Sequence, residues 1–226
     1  MDILNRRLGL SEFKDYVASY DFGPQPPNKL VIHHTWRPTK VTWQGERTIL
    51  GLKRYYEGKG WPAGPHLFIA EDGIWLFSPM RHNGIHAGPL NPFSIGIEVV
   101  GDYDFEVWSG NTKILTLGAI KLLMNRLMIP ESALFFHRDV SPKSCPGRAI
   151  TKEWLLAELQ VATPLSGAGR SEFLEAALRL SATPIPDWAR EAVDFVRQHQ
   201  LFEIRSEADM RDAVKFYRFY QLIQNS

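Results

Sequence analysis

The sequence predicts an α/β domain, one mixed β-sheet with helices on its faces, followed by a small all-α module. Three observations predict it. Up to residue 161, strand-length apolar runs and amphipathic helical patterns succeed one another without the regular strand–helix–strand alternation of an all-parallel sheet. Beyond a turn-rich segment, TPLSGAG, every pattern is helical. The length of 226 residues suits one medium domain plus a smaller unit. The expected division is residues 1–161 for the main domain, 162–170 for a linker and 171–226 for the helical module.

The first element is a helix capped by Ser11, with Phe13, Tyr16, Val17 and Tyr20 at helical spacing before Gly23-Pro24 stops it. KLVIHH, Lys29 to His34, is a short apolar run bounded by turn signals, hence a buried strand. Residues 47–57 are helical until Gly58, and HLFIAEDGIWLF forms two strands turning at Asp72-Gly73. SIGIEVVGD is a further strand, central in the sheet. From Ile114 to Met128 an apolar stripe of Ile114, Leu117, Ile120, Leu123, Met124 and Leu127 marks a helix that Pro130 ends. The strand ALFFH, the loop RDVSPKSCPG and a helix through Trp154, Leu155 and Leu159 complete the domain.

Composition excludes several classes. Hydrophobic residues at 44% and charged residues at 23% are far from the disordered range. Lys plus Arg number 26 against 25 Asp plus Glu, and no dense basic run occurs, so nucleic acid is not an expected partner. The single cysteine, Cys145, excludes an intramolecular disulfide. No apolar run is long enough to span a membrane. The N-terminal residues lack a signal-peptide core, so the expectation is cytoplasmic synthesis, with another protein releasing the chain to any outside substrate.

Five of the seven histidines, His33, His34, His66, His82 and His86, fall in or beside strands between positions 33 and 86, and His137 ends a strand. The loop from His137 to Cys145, with Pro142 and Pro146, can bring an imidazole and a thiolate to one point, with His33 as a third ligand. Two nitrogens and a sulfur leave one tetrahedral position open, the arrangement of a catalytic zinc. The bland alternative is a buried cysteine acting as a small hydrophobe among satisfied core histidines. Another is a cysteine nucleophile paired with His137.

The segments VIHHT, GWPAGPHLFIAEDG, GIHAGPLNPFSIGIEVVGD and FHRDVSPKSCPG, in that order, resemble the zinc-dependent N-acetylmuramoyl-L-alanine amidases, which include phage lysozyme-type amidases and peptidoglycan recognition proteins. The likeness runs from Leu30 to Ile150. It implies that family's mixed sheet and one zinc per chain, held by His33, His137 and Cys145. Lys143 matches a lysine that stabilises the oxyanion, and Glu98 a glutamate that serves as base in one branch. Other branches use a tyrosine near the hairpin, where this chain has His66, so proton transfer stands open between Glu98 and His66. His86 and Asn91 match groove positions that contact substrate, and His34 is assigned to substrate contact or support of the ligands. Trp36, Trp43 and Trp61 are candidate stacking faces.

The activity this implies is hydrolysis of the amide between N-acetylmuramic acid and the L-alanine of the stem peptide. The role is that of a phage or prophage endolysin released by a holin. The partner is bacterial peptidoglycan, met by a monomer without membrane insertion, and the helical module helps find the wall. A non-catalytic peptidoglycan-binding protein and a cytoplasmic muropeptide-recycling amidase are the alternatives.

Overall fold

The computed structural model describes residues 1–161, and Arg190 beyond them. The chain divides into two units, Met1–Thr163 and Pro164–Ser226, and the described fold belongs to the first. The linker and helical module expected at 162–170 and 171–226 lie outside the described residues.

Six strands, β1 (Arg6–Leu8), β2 (Lys29–His34), β3 (Leu67–Ala70), β4 (Gly73–Leu76), β5 (Ser94–Val99) and β6 (Leu134–Phe136), form one sheet in the order β1-β4-β3-β5-β2-β6. The β1–β4 and β4–β3 pairs are antiparallel, and the β3–β5, β5–β2 and β2–β6 pairs are parallel. The sheet is therefore mixed, as the sequence predicts. Four helices flank it: α1 (Leu10–Ser19), α2 (Glu46–Gly58), α3 (Gly110–Leu127) and α4 (Lys152–Val161).

Side-chain parity divides the two faces of the sheet. Leu30 and Ile32 of β2, Ile95, Ile97 and Val99 of β5, and Leu67 and Ile69 of β3 join one buried cluster with Phe13 and Val17 of α1, Ile120 and Leu123 of α3, and Leu155 of α4. The intervening positions face the other way, where Phe68, Trp75 and Phe77 pack on Ile49 and Tyr56 of α2. In register with Phe68 and Trp75, the same cross-strand row continues through Glu98 and His33. The cluster with α2 reaches only the β3–β4 end of this row.

Several boundaries differ from the sequence expectation. β1 is short and arginine-rich and has no strand pattern of its own; its pairing with β4 makes it a strand. Helix α1 starts at Leu10 with Gly9 at its cap, and Ser11 lies inside the first turn, where Glu12 Oε2 accepts the Gly9 N–H at 2.7 Å. The β3–β4 turn is Glu71-Asp72, one residue earlier than expected, because Ala70 pairs with Gly73. Gly73 is needed in the strand itself, since a Cβ there would lie 2.7 Å from Arg7 Cγ of β1.

Helix α3 begins at Gly110, four residues before the apolar stripe, and has no acidic residue in its own first turn. Glu71 of the hairpin supplies one. Its carboxylate accepts the N–H groups of Asn111 and Thr112, each at 3.1 Å, and the Thr112 hydroxyl at 3.0 Å. Partial burial would raise this carboxyl's pKa, but the hydrogen bonds from Thr112 and Asn111 outweigh burial and hold it below the ordinary value. The outer edge of β6 is also closed by side chains: Asp139 accepts the Phe136 N–H at 2.8 Å, and Lys152 Nζ donates to the Leu134 carbonyl.

Glu71→Gln is expected to cost about 1 kcal/mol of stability at pH 7, since a charged cap becomes a neutral one. A depressed folded-state pKa gives stabilisation that is complete above the unfolded carboxylate pKa and is lost as the pH falls through the folded value. Denaturant titrations of both proteins should therefore show a gap that narrows with acidification. A gap independent of pH would show that the carboxylate charge is not what caps α3.

Candidate metal centre and substrate groove

The site is assembled at the carboxyl ends of three adjacent parallel strands. His33 stands near the end of β2, Glu98 opposite it near the end of β5, and His137 directly after β6. The loop after His137 returns Cys145 to the same point. The three ligand atoms offered by His33, His137 and Cys145 lie within 4.8 Å of one another. The His33 and His137 rings are 4.6 Å apart, and Cys145 Sγ is 3.7 Å from His33 Nδ1. Two such ligands on one tetrahedral zinc, at about 2.1 and 2.3 Å, would stand roughly 3.6 Å apart, so the spacing fits.

The electrostatics fit a cation as well. Burial, then the nearby His86 and His137, hold His33 well below the ordinary histidine pKa, and burial does the same for His137. Both imidazoles are neutral, the form that ligates. Burial, reinforced by Glu98, pushes the Cys145 thiol up, the opposite of what an activated cysteine nucleophile needs. Glu98 Oε1 lies 3.9 Å from His33 Nδ1, while Oε2 is buried without a hydrogen-bond partner. Burial raises this carboxyl to about 8, against the lowering effect of Lys143. A buried sulfur, two neutral nitrogens and an unpartnered carboxylate all gain from a divalent cation among them.

This cluster opens on a groove of about 1140 Å³. Trp36, Arg37, Tyr55, Trp61, Asp104 and Lys143 are among its lining residues. Trp43, the third candidate stacking face, does not line it; its indole donates to Asp72 at 2.9 Å and packs edge-on to Trp75.

The profile of the N-acetylmuramoyl-L-alanine amidase family matches residues 23–148. The chain belongs to this family. It is 28% identical over 130 residues to peptidoglycan-recognition protein SC1a of Drosophila melanogaster, covering 54% of this chain and 69% of that protein. It is 26% identical over 148 residues to the endolysin of Enterobacteria phage T3, covering 63% of this chain and 96% of that protein. Among solved structures, the N-acetylmuramoyl-L-alanine amidase LysC from Clostridium intestinale superposes with a TM-score of 0.52 at 26% identity, covering 59% of this chain and 85% of that one.

Within this amidase fold the remaining candidate residues take different positions. His66 is fully buried and is absent from the groove lining. Its Nδ1 accepts the Gly96 N–H at 2.9 Å, which leaves Nε2 to carry the proton that meets the His82 carbonyl at 3.0 Å. Burial lowers its pKa to about 4. With both nitrogens taken by main chain, His66 is a strut between strands and has no free lone pair for proton transfer. Glu98 Oε2, by contrast, is buried without a hydrogen-bond partner.

His86 does line the groove, yet its Nδ1 meets His33 Nε2 at 3.1 Å, so it orients a candidate ligand. The ring fits because position 96 is glycine: a Cβ there would lie 2.6 Å from His86 Cγ. Asn91 also lines the groove, with Oδ1 accepting the N–H groups of His86 and Ala87 at 3.0 and 2.7 Å. Its amide carbonyl is occupied in shaping the groove wall. His34 donates its main-chain N–H to Cys145 Sγ at 3.4 Å, and its Nδ1 accepts the Tyr103 N–H at 3.1 Å. It ties the cysteine loop to the segment after β5. Sequence reasoning missed Tyr103 and Asp104, whose contacts with the cysteine loop span about forty residues.

His66→Ala is expected to lower stability by about 2–4 kcal/mol, because it strands the buried Gly96 N–H, loses the bond to the His82 carbonyl and leaves a cavity. Urea denaturation measures this. A His66→Ala protein as stable as its parent would remove the strut role.

Proposed function

We propose that this chain is a zinc-dependent N-acetylmuramoyl-L-alanine amidase that hydrolyses the amide joining the lactyl group of N-acetylmuramic acid to L-alanine in peptidoglycan. The observation that carries this reading is the convergence of His33, His137 and Cys145 on one point beside the unpartnered Glu98, at the floor of an open groove. His33, His137 and Cys145 would hold the zinc, with His86 orienting His33. When bound, the ion supplies Lewis-acid polarisation of the scissile carbonyl and a lowered pKa for water.

The chain's own groups do the rest. Glu98 is the base: its carboxylate takes a proton from the attacking water as the water oxygen bonds to the carbonyl carbon. The Lys143 ammonium, on the groove wall, offsets the negative charge that develops on the carbonyl oxygen. As the carbon–nitrogen bond breaks, Glu98 passes its proton to the departing alanine nitrogen. A buried carboxyl with a raised pKa suits both halves of this transfer, since it can hold a proton at neutral pH long enough to return it. The chain acts as an endolysin on the bacterial wall, a reading supported by the match to a phage endolysin along 96% of that protein.

Purified chain should retain about one zinc per molecule, and Cys145→Ser should weaken both zinc retention and wall lysis. Full lytic activity in protein shown to be metal-free would overturn the zinc reading. Glu98→Gln should cut turnover at least ~100-fold while sparing zinc content. Mass analysis of digested walls identifies the bond: stem peptides with a free alanine amino group are expected. New reducing ends without them would mean a glycosidase-type cut.

A further inference from the structure

Arg138 follows the ligand His137 and takes no part in the chemistry above. Its described hydrogen bonds go to carbonyl groups rather than to a carboxylate. Nη1 donates to the carbonyls of Ser144 at 3.2 Å and Gly147 at 2.8 Å, and Nη2 donates to that of Ile150. Its main-chain N–H donates to the Cys145 carbonyl at 2.9 Å. The guanidinium carbon sits 4.6 Å over the Phe136 ring. Three carbonyls along one turning loop match the several fixed donors of a guanidinium, and a lysine ammonium cannot span them.

The gripped loop is the one that carries Cys145. On its far side it is held by the segment after β5: Ala149 N donates to Tyr103 O at 3.1 Å, Arg148 N to Asp104 Oδ1 at 3.0 Å, and Ser144 Oγ to Asp104 Oδ2 at 3.2 Å. Gly147, at φ +111, lets the loop press on that segment, because a Cβ would lie 2.2 Å from the Tyr103 carbonyl oxygen. Those contacts fix the loop relative to β5. The contacts of Arg138 fix it relative to His137, the neighbouring ligand.

We propose that Arg138 is the positioning residue of the metal centre: by gripping the carbonyls of residues 144, 147 and 150 it sets Cys145 against His137 before any metal arrives. This rests on the zinc reading above. A preset pair of ligands spares the ordering of the seven-residue connection between them when the ion binds, so loss of the grip appears as lost metal affinity beyond any loss of fold.

The test measures zinc affinity by competition with a chromogenic chelator, and cobalt–thiolate absorption as a report on the cysteine ligand, in the parent, Arg138→Lys, Arg138→Gln and Lys152→Met. Lys152 is the matched control. It lies 4.5 Å over the same Phe136 ring and donates to the Leu134 carbonyl of β6 rather than to a carbonyl of the cysteine loop. Both Arg138 variants are expected to bind zinc at least about tenfold more weakly, with weakened cobalt–thiolate absorption. Lys152→Met is expected to lose thermal stability and keep the parent's zinc affinity.

Arg138 variants that bind zinc like the parent, or that lose no more affinity than Lys152→Met, overturn the proposal. A parent that binds no zinc overturns the zinc reading first and this role with it. Should neither Arg138 variant fold, hydrogen exchange on the metal-free parent decides: the amides of Gly147, Arg148, Ala149 and Ile150 are expected to be protected, and exchange at unprotected rates refutes a preset loop.

Discussion

The alternation of side chains along β2 and β5 is the constraint on which this molecule's chemistry depends. Ile32 and Ile97 must face the helices, so His33 and Glu98, one residue on, must face the groove. A slip of one residue in either strand would drive an imidazole or a carboxylate into the apolar layer and expose an isoleucine in its place. Core packing therefore enforces the register of the site, and the site needs little stabilisation of its own. That the strands are parallel adds the rest: their carboxyl ends gather at one edge, and the loops leaving them converge there.

Burial acts on each group of the centre in a different sense. It disfavours the charged form of the imidazoles of His33, His86 and His137, which leaves their lone pairs available. The same burial penalises the thiolate of Cys145 and the carboxylate of Glu98. Without a cation the cluster is an accumulation of lone pairs and one unpartnered buried oxygen, an arrangement that costs stability and persists because the surrounding sheet over-determines it. Gly96 and Asn91 both support His86, the one by making room for its ring and the other by accepting its main-chain N–H, and His86 in turn holds His33.

What could be read from the sequence was what is written locally. The strands of β2 and β5 announce themselves as short apolar runs, and the metal ligands stand at motif positions within or just after such runs. SIGIEVVGD reads as a central strand, and β5 does lie between β3 and β2 in the sheet. What could not be read was written across long separations. β1 has no strand signal because β4 supplies its order, and the first turn of α3 carries no cap because Glu71 provides it from about forty residues away. The same limit left Glu98 and His66 indistinguishable. Both are polar residues in or beside predicted strands, and only their partners, a main-chain N–H and carbonyl for His66 and nothing for Glu98 Oε2, tell them apart.

The closed edge of β6 has a bearing on how copies of this chain meet. A strand edge with free N–H and carbonyl groups is a template onto which another strand can be laid, and the hazard grows with local concentration. Here Asp139 and Lys152 occupy the outward groups of Phe136 and Leu134. Neighbouring copies of this chain are thereby denied a seam at this edge along which to zip together.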